Sequence, residues 1–121
     1  MAYTNIDDPS AHFQIATYTG NGTDNTAITY DGNSDMQPDF LWFKLRSTAG
    51  NHVLLDSSRG SSKYIRSNND AAESTTDTLL KSFDSDGFTV GDNASTNYNT
   101  YTLVSWGWKA NGGTTSSNTT G

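Results

Sequence analysis

Residues 39–60 constrain the fold most strongly. They contain two segments in which the side chains can be divided between two faces of a strand, separated by a short polar connection. The first segment, residues 40–46, is rich in aromatic residues and is bounded by proline and glycine, which is typical of a β-strand. Successive side chains of a strand point to opposite faces, so one face carries only apolar residues: Leu41, Phe43 and Leu45. We expect this face to belong to the core.

The opposite face of the same strand carries an indole followed by two cations. A second segment, residues 52–56, alternates in the same way, and the short glycine-containing connection predicts an antiparallel hairpin. The hairpin would bring basic, acidic and imidazole groups to one sheet face. The candidate ligand-binding residues are therefore Trp42, Arg46, His52, Asp56 and Arg59. The competing interpretation makes Asp56 and Arg59 a structural ion pair at a turn.

The rest of the chain has the composition of an all-β protein. Only 32% of the residues are hydrophobic, and Ser, Thr, Asn, Asp and Gly fill the deficit. Thr and aromatic residues favour strands, whereas Asn, Asp, Gly and Ser favour turns. Short strand-like segments separated by such turns are the pattern of a sandwich or barrel. We predict an antiparallel β-sandwich.

The sequence divides into an N-terminal lead-in at residues 1–12, a β-sandwich domain at 13–110 and a Ser/Thr/Gly/Asn-rich linker or tail at 111–121. A short helical turn is expected near Asp8. Outside the hairpin, strands are expected at residues 13–19, 27–30, 63–67, 88–90 and 98–109. Loops are expected at residues 68–76 and 91–96.

The three tryptophans, Trp42, Trp106 and Trp108, allow two interpretations. Indole rings stack on sugars, which makes these residues candidate platforms for a glycan. A chain with few aliphatic residues needs its large rings in the core, because each aromatic side chain buries about 150–250 Å². We therefore expect at most one of the three to be exposed.

Charge and hydropathy restrict the class of partner. The formal net charge of −6 argues against nucleic acid as the main partner. No segment approaches the roughly 18 apolar residues of a membrane helix, so membrane insertion is not expected. The polar N-terminus does not predict a secretory leader. The absence of cysteine excludes thiolate metal sites and cysteine nucleophiles.

Catalytic chemistry is not expected. Glycoside hydrolysis requires two carboxyl groups about 5–10 Å apart, and the single glutamate, Glu73, leaves no such pair on one strand. His52 and Asp56 lie about 13 Å apart if they share an extended strand, which is too far for a catalytic hydrogen bond. We predict a non-enzymatic protein without a cofactor.

One acidic turn is a weak candidate for a structural calcium ion. Asp84 and Asp86 occupy spacings similar to the start of an EF-hand loop, but Asn93 stands where the closing acid would be. Asx-rich turns are common in β-proteins, so a plain turn is the competing interpretation.

Six segments occur in an order that resembles a known type of domain. They are YTNIDDPSAHFQ at residues 3–14, YTGNG at 18–22, QPDFLWFKLR at 37–46, NHVLLDSSRG at 51–60, SFDSDGFTVG at 82–91 and VSWGWKA at 104–110. Over roughly residues 13–110, the chain resembles an uncharacterised domain of tail-fibre-like and other virion structural proteins of marine bacteriophages. That domain is similar to concanavalin-like jelly-roll sandwiches, an analogy that suggests a lectin-like, carbohydrate-binding role.

The resemblance implies a tail-fibre module that contributes to attachment to a host-surface glycan. It implies a virion protein assembled in the host cytoplasm and exposed extracellularly, with contacts to other virion subunits. A homo-oligomer, a trimer in the full-length protein, is also implied. The alternative is a purely structural fibre or capsid-decoration domain without a ligand of its own. A surface-polysaccharide depolymerase is the third class.

Overall fold

The computed structural model describes residues 7–110, 112 and 119–120, so most of the predicted lead-in and tail lies outside the described residues. No helix in the described part is long and apolar enough to cross a membrane. The two helices are a 3-10 helix (Pro9–Ala11) and α1 (Ala94–Asn97). The strands are β1 (Phe13–Thr19), β2 (Thr26–Thr29), β3 (Phe40–Leu45), β4 (Val53–Asp56), β5 (Lys63–Arg66), β6 (Ser74–Thr75), β7 (Leu80–Asp84), β8 (Gly87–Val90) and β9 (Thr102–Trp108).

The strands form two antiparallel sheets. The large sheet has the order β1-β9-β3-β4-β5-β6, and the small sheet has the order β2-β8-β7. Every neighbouring pair runs antiparallel. The predicted all-β, sandwich-like class is therefore confirmed.

The hairpin predicted from residues 39–60 is present as β3 and β4. Phe43 pairs with Val53, and Leu41 pairs with Leu55. All four side chains are buried, as is Leu45, so the predicted core face of this strand is confirmed. The alternation of apolar residues therefore fixes both the hairpin register and the side of the sheet that faces the core.

The core lies between the two sheets and is centred on Phe43 of β3 and Phe88 of β8. Their ring centroids are 5.2 Å apart with an interplanar angle of 88°. Edge-to-face pairs of this kind contribute about 0.5–1.5 kcal/mol beyond their buried area. The other fully or nearly fully buried apolar residues are Met36, Leu41, Val53, Leu55, Leu79, Leu80, Val90 and Leu103.

The inner face of β9 is made of small residues at the point where a tyrosine crosses it. A β-carbon at Gly107 would overlap the hydroxyl of Tyr30 and would lie 3.3 Å from the β-carbon of Pro38. The Tyr30 ring also packs edge-on against Phe88. Because Gly107 must face inward, the neighbouring Trp106 and Trp108 must face outward.

The last strand begins later than predicted. Thr100 has a φ of 70°, a left-handed conformation that no strand accommodates. The preceding segment is held instead by a stack of Tyr98 on Tyr101, with ring centroids 4.4 Å apart. The strand therefore spans Thr102–Trp108 rather than residues 98–109.

Two segments predicted as loops contain regular structure. Residues 94–97 form the single turn α1, because the side chain of Asn93 accepts a hydrogen bond from the backbone N–H of Ser95 at its N-terminus. Ser74–Thr75 forms the short edge strand β6 beside β5. Near the N-terminus, the expected helical turn is a 3-10 helix, with Asp8 as its N-cap.

A buried asparagine fixes the loops at one end of the sandwich. The side-chain amide of Asn97 donates to the oxygens of Asn21, Thr23 and Gly91, at 2.8–3.1 Å. Its Oδ1 accepts from the backbone N–H of Asn21 at 3.0 Å. Every polar group of this side chain is satisfied, so its burial carries no unpaired hydrogen-bonding group.

A buried aspartate fixes the opposite end. Asp39 is only 3% exposed, and its carboxylate accepts hydrogen bonds from Gln37 Nε2, Ser57 Oγ and the backbone N–H of Ala110. Its own backbone N–H donates to the carbonyl of Trp108. Asp39 thereby joins the start of β3, the turn after β4 and the end of β9. Burial raises the pKa of Asp39, but these hydrogen bonds outweigh it and hold the pKa below its ordinary value.

We predict that Asp39→Asn destabilises the domain by about 1–3 kcal/mol at pH 7, because an amide cannot accept every bond the carboxylate accepts. The native-state pKa is lowered, so the contribution of the carboxylate is complete above the unfolded value of about 4 and falls as the pH drops through the native value. Urea unfolding at pH 7 and at acidic pH measures both effects. The variant should lose less stability than the wild type on acidification.

The matched control is Asp35→Asn at an exposed position three residues before Pro38 in the same connection. It should leave the free energy of unfolding at pH 7 within about 0.5 kcal/mol of the wild type. An Asp39→Asn variant as stable as this control would refute the proposed role of the Asp39 carboxylate.

Candidate functional site

The solvent-facing side of the large sheet is mostly apolar. Phe13 of β1 and Phe40 of β3 both pair with Trp108 of β9, while Trp42 pairs with Trp106. Alternation places these side chains on the face opposite the core. We call this surface the outer aromatic face, and its residues are Phe13, Ile15, Phe40, Trp42, Leu54, Ile65, Trp106 and Trp108.

The rings of the outer aromatic face lean against one another. Trp108 lies between Phe13 and Phe40, with centroid distances of 5.0 and 5.2 Å and interplanar angles of 48° and 50°. Trp42 and Trp106 are 5.9 Å apart at 70°. These tilted contacts bury part of each ring, so Trp42 and Trp106 are half-buried although neither belongs to the core.

A shallow depression of about 270 Å³ lies in the middle of this face and is lined by Trp42, Trp106 and Trp108. The indole N–H of Trp42 donates to Nδ1 of His52 at 3.1 Å. The backbone N–H of His52 donates to Asn68 Oδ1 at 3.0 Å, which anchors the residue beside the indole. His52 therefore accepts at Nδ1 and orients the Trp42 ring.

The structure does not bring the five predicted ligand-binding residues together. Trp42 and His52 are in contact, and Asp56 pairs with Arg59. Asp56 lies opposite Phe40 at the start of β3, whereas the exposed Arg46 follows the end of that strand. At about 3.3 Å per residue, the length of β3 separates Arg46 from the Asp56–Arg59 pair by roughly 20 Å.

Asp56 and Arg59 belong to an ion-pair network at the turn after β4. Arg59 Nε lies 2.6 Å from Asp56, and Arg59 Nη1 lies 3.1 Å from Glu73, which also contacts Lys63 at 3.3 Å. Asp56 further accepts the backbone N–H of Arg59, which closes the turn. Partly exposed pairs of this kind contribute little, typically about 0–1 kcal/mol each. Arg59 thereby connects Asp56, at the end of β4, to Glu73, the residue before β6.

The network shifts the ionisation of its members. Hydrogen bonds from Arg59 and Lys63 lower the pKa of Glu73. Partial burial lowers the pKa of Arg59, but its hydrogen bonds to Asp56 and Glu73 outweigh this and raise it. Glu73 is therefore held as a carboxylate, which has no proton to donate near neutral pH, and Arg59 is held as a guanidinium, which retains its proton.

The two weak candidates for calcium ligands have protein partners. Both oxygens of Asp84 accept hydroxyl hydrogen bonds, from Ser82 at 2.6 Å and from Thr89 at 2.7 Å. Asp86 accepts the backbone N–H of Met36 at 3.3 Å. Within residues 7–110, 112 and 119–120, no group of three or more His, Cys, Asp or Glu residues is arranged to hold a metal ion. These contacts are those of an Asx-rich turn between β7 and β8.

The prediction that at most one of the three tryptophans is exposed is confirmed, because Trp108 is 37% exposed and Trp42 and Trp106 are half-buried. None of the three belongs to the core, however, since all lie on the outer aromatic face. Phe13 and Phe40 also belong to this face and were not identified from the sequence. The available signal was the alternation of small Ser105 and Gly107 with large Trp106 and Trp108 along β9.

Comparison with known proteins places the chain in a family without an assigned function. The model of the family described as Domain of unknown function (DUF7483) matches residues 8–121, so the chain belongs to that family. No curated protein and no solved structure matches the chain significantly.

We predict that Trp108→Ala and Leu103→Ala, two changes on opposite faces of β9, have very different costs. Leu103 is fully buried, and its truncation should lower the free energy of unfolding by about 2–5 kcal/mol. Truncation of Trp108 should cost only about 1 kcal/mol, well below the 3–5 kcal/mol of a core tryptophan. Urea unfolding of the two variants measures the difference. A Trp108→Ala cost equal to that of Leu103→Ala would place Trp108 in the core.

Proposed function

We propose that this member of the DUF7483 family is a non-enzymatic module of a phage virion protein and that the outer aromatic face is its contact surface. The virion context comes from the sequence resemblance. The observation that supports a binding role is the concentration of apolar side chains on the solvent-facing side of the large sheet, with Ile15 49% and Trp108 37% exposed. Contiguous apolar patches above a few hundred Å² are rare on monomers and mark interaction sites.

The chemistry of the face fits an apolar protein surface, which makes a neighbouring virion subunit the proposed partner. The centres of protein interfaces are enriched in aromatic residues and depleted of charge. The outer aromatic face has this composition, while its cations and carboxylates, such as Lys44 and Asp56, lie at its margins. The domain would then connect or space subunits of a fibre or capsid.

Ring orientation also favours a protein partner over a sugar. A sugar stacks on a flat, open ring face, and several rings form a platform for an extended glycan only if they lie nearly in one plane. Here the Phe13–Trp108 and Trp42–Trp106 planes are inclined by 48° and 70°. The Trp42 indole N–H already donates to His52, which leaves the centre of the face few groups to bond sugar hydroxyls.

Attachment to a host-surface glycan is the second candidate. It is favoured by the exposure of Trp108, which is 37% exposed. Weak single sites of this kind gain strength when several copies are linked, as they would be in a homotrimeric fibre. In this version we also propose a non-enzymatic domain, and the engagement of both oxygens of Glu73 by Arg59 and Lys63 supports that proposal.

Tryptophan oxidation by hydroxyl radicals distinguishes the two candidates. The measurement compares the isolated domain, phage particles that carry it, and the same particles bound to host envelopes. Burial against a virion subunit should protect Trp108 in free particles by at least about fivefold relative to the isolated domain, since a desolvated interface excludes the radical. Tyr98, which is 45% exposed and lies at the far end of the sandwich, is the control and should react equally in all three samples.

Glycan attachment predicts a different pattern. Trp108 would then react fully in free particles and become protected only after host envelopes are added. Full reactivity of Trp108 in all three samples would contradict a contact role for the outer aromatic face.

A further inference from the structure

One edge of the large sheet has the properties of an unpaired strand that accepts another. β1 is the terminal strand of that sheet and pairs only with β9. It is seven residues long, and residues 9–23 around it contain no Asp, Glu, Lys or Arg, although the whole chain has 20 such residues, 13 acidic and 7 basic. Natural edge strands are usually short, charged or interrupted by proline, because an unprotected edge pairs with other chains.

The other sheet edges carry such protection. β6 is only two residues long and follows the charged Glu73. β7 carries Lys81, which is paired with Asp24 at 3.0 Å, and it ends at Asp84. β2 has four residues and directly follows Asp24 and Asn25. Among the described edge strands, β1 is the longest, and it is the one that has no Asp, Glu, Lys or Arg within it or in the two residues before it.

The hydrogen-bonding groups of β1 that face away from β9 can be identified from the register. The carbonyl of His12 accepts from the N–H of Lys109, and the N–H of Gly20 donates to the carbonyl of Tyr101. Hydrogen-bonded pairs alternate along an antiparallel ladder, so the even-numbered residues of β1 bond to β9. The odd-numbered residues direct their N–H and C=O groups to the free edge: Phe13, Ile15, Thr17 and Thr19.

This edge is open to a partner. A groove of about 310 Å³ separates β1 from β2 of the small sheet and is lined by both strands. Ile15 is 49% exposed, and Thr17 and Thr19 are also exposed. No other described strand pairs on this side of β1.

We propose that a second copy of this chain pairs its own β1 antiparallel to this edge, so that the two large sheets become continuous. With Ala16 on the two-fold axis, Phe13 lies opposite the partner's Thr19, and Ile15 lies opposite the partner's Thr17. All four odd-numbered residues of each copy then bond across the axis and give about eight hydrogen bonds, similar to the 10 ± 5 of a typical interface.

Self-pairing suits this edge better than pairing with a foreign strand. A two-fold contact repeats the same surface on both subunits, so like charges at the contact would face each other. The uncharged β1 avoids this repulsion. Ile15 would cover the partner's Thr17 on the outer side and would lose its exposure to water. The interface uses the edge of the sheet and does not rest on the proposed function of the outer aromatic face.

Thr17→Pro and Thr17→Val form a matched pair for testing the contact. The N–H of Thr17 points to the free edge, so proline at this position leaves the β1–β9 ladder intact but removes a donor from the dimer contact. Valine keeps the N–H and the β-branched shape. Sedimentation equilibrium of residues 1–121 should show a monomer–dimer equilibrium, weakened at least about tenfold by Thr17→Pro and within about threefold of wild type for Thr17→Val. Thermal unfolding of both variants checks that each is folded.

Amide hydrogen exchange supplies the second readout and does not depend on any variant. In dilute samples the odd-numbered amides of β1 should exchange quickly and the even-numbered ones slowly. At dimer-forming concentrations, the amides of Phe13, Ile15, Thr17 and Thr19 should become protected. A wild type that stays monomeric at about 0.5 mM would overturn the proposal, because its dimer would then have a higher Kd than a specific interface is expected to have. So would a dimer whose odd-numbered β1 amides still exchange quickly, or an unaffected dimer of folded Thr17→Pro.

Discussion

The contact between Tyr30 and the inner face of β9 determines which side of the large sheet carries the tryptophans. Gly107 must lie under the Tyr30 hydroxyl because a β-carbon there has no space. Because side chains alternate between the two faces of a strand, Trp106 and Trp108 must then point to solvent. Since β9 lies between β1 and β3, Phe13, Phe40 and Trp42 gather around these two indoles. The outer aromatic face is thus a consequence of inner packing.

Most of the sheet structure was predictable because it depends on local alternation. One face of β3 carries only apolar side chains and the other carries a mixture of apolar and charged ones, so the choice of core face was unambiguous. In β9, the inner face carries Leu103, Ser105 and Gly107. The outer face carries Val104, Trp106 and Trp108, which are more hydrophobic, so hydrophobicity alone selects the wrong face as the core face. The deciding contact joins residues 77 positions apart in sequence, which no local pattern records. The polar anchors were unpredictable for the same reason, since Asn97 and Asp39 bond to distant loops.

The predicted cluster of ligand-binding residues failed to assemble for a geometric reason. Arg46 and Asp56 were placed on the correct face, but an antiparallel hairpin puts the end of one strand beside the start of the next. Asp56 is therefore paired with Phe40 in the sheet, and it forms an ion pair with Arg59 at the turn. The charged groups form ion pairs at the turn, while two uncharged features face solvent. These are the outer aromatic face and the edge of β1, and each is the basis of a separate proposal of assembly.

The most direct test of this account is the solvent accessibility of the two sides of β9 in the isolated domain. Paramagnetic relaxation by a soluble, uncharged nitroxide measures it for each side chain by NMR. We predict strong broadening of the Trp108 ring and of the Ile15 methyl groups, with little effect on the Leu103 and Val90 methyl groups, which are buried. Broadening of Leu103 with protection of Trp108 would mean that β9 has the opposite orientation, and the outer aromatic face would not exist.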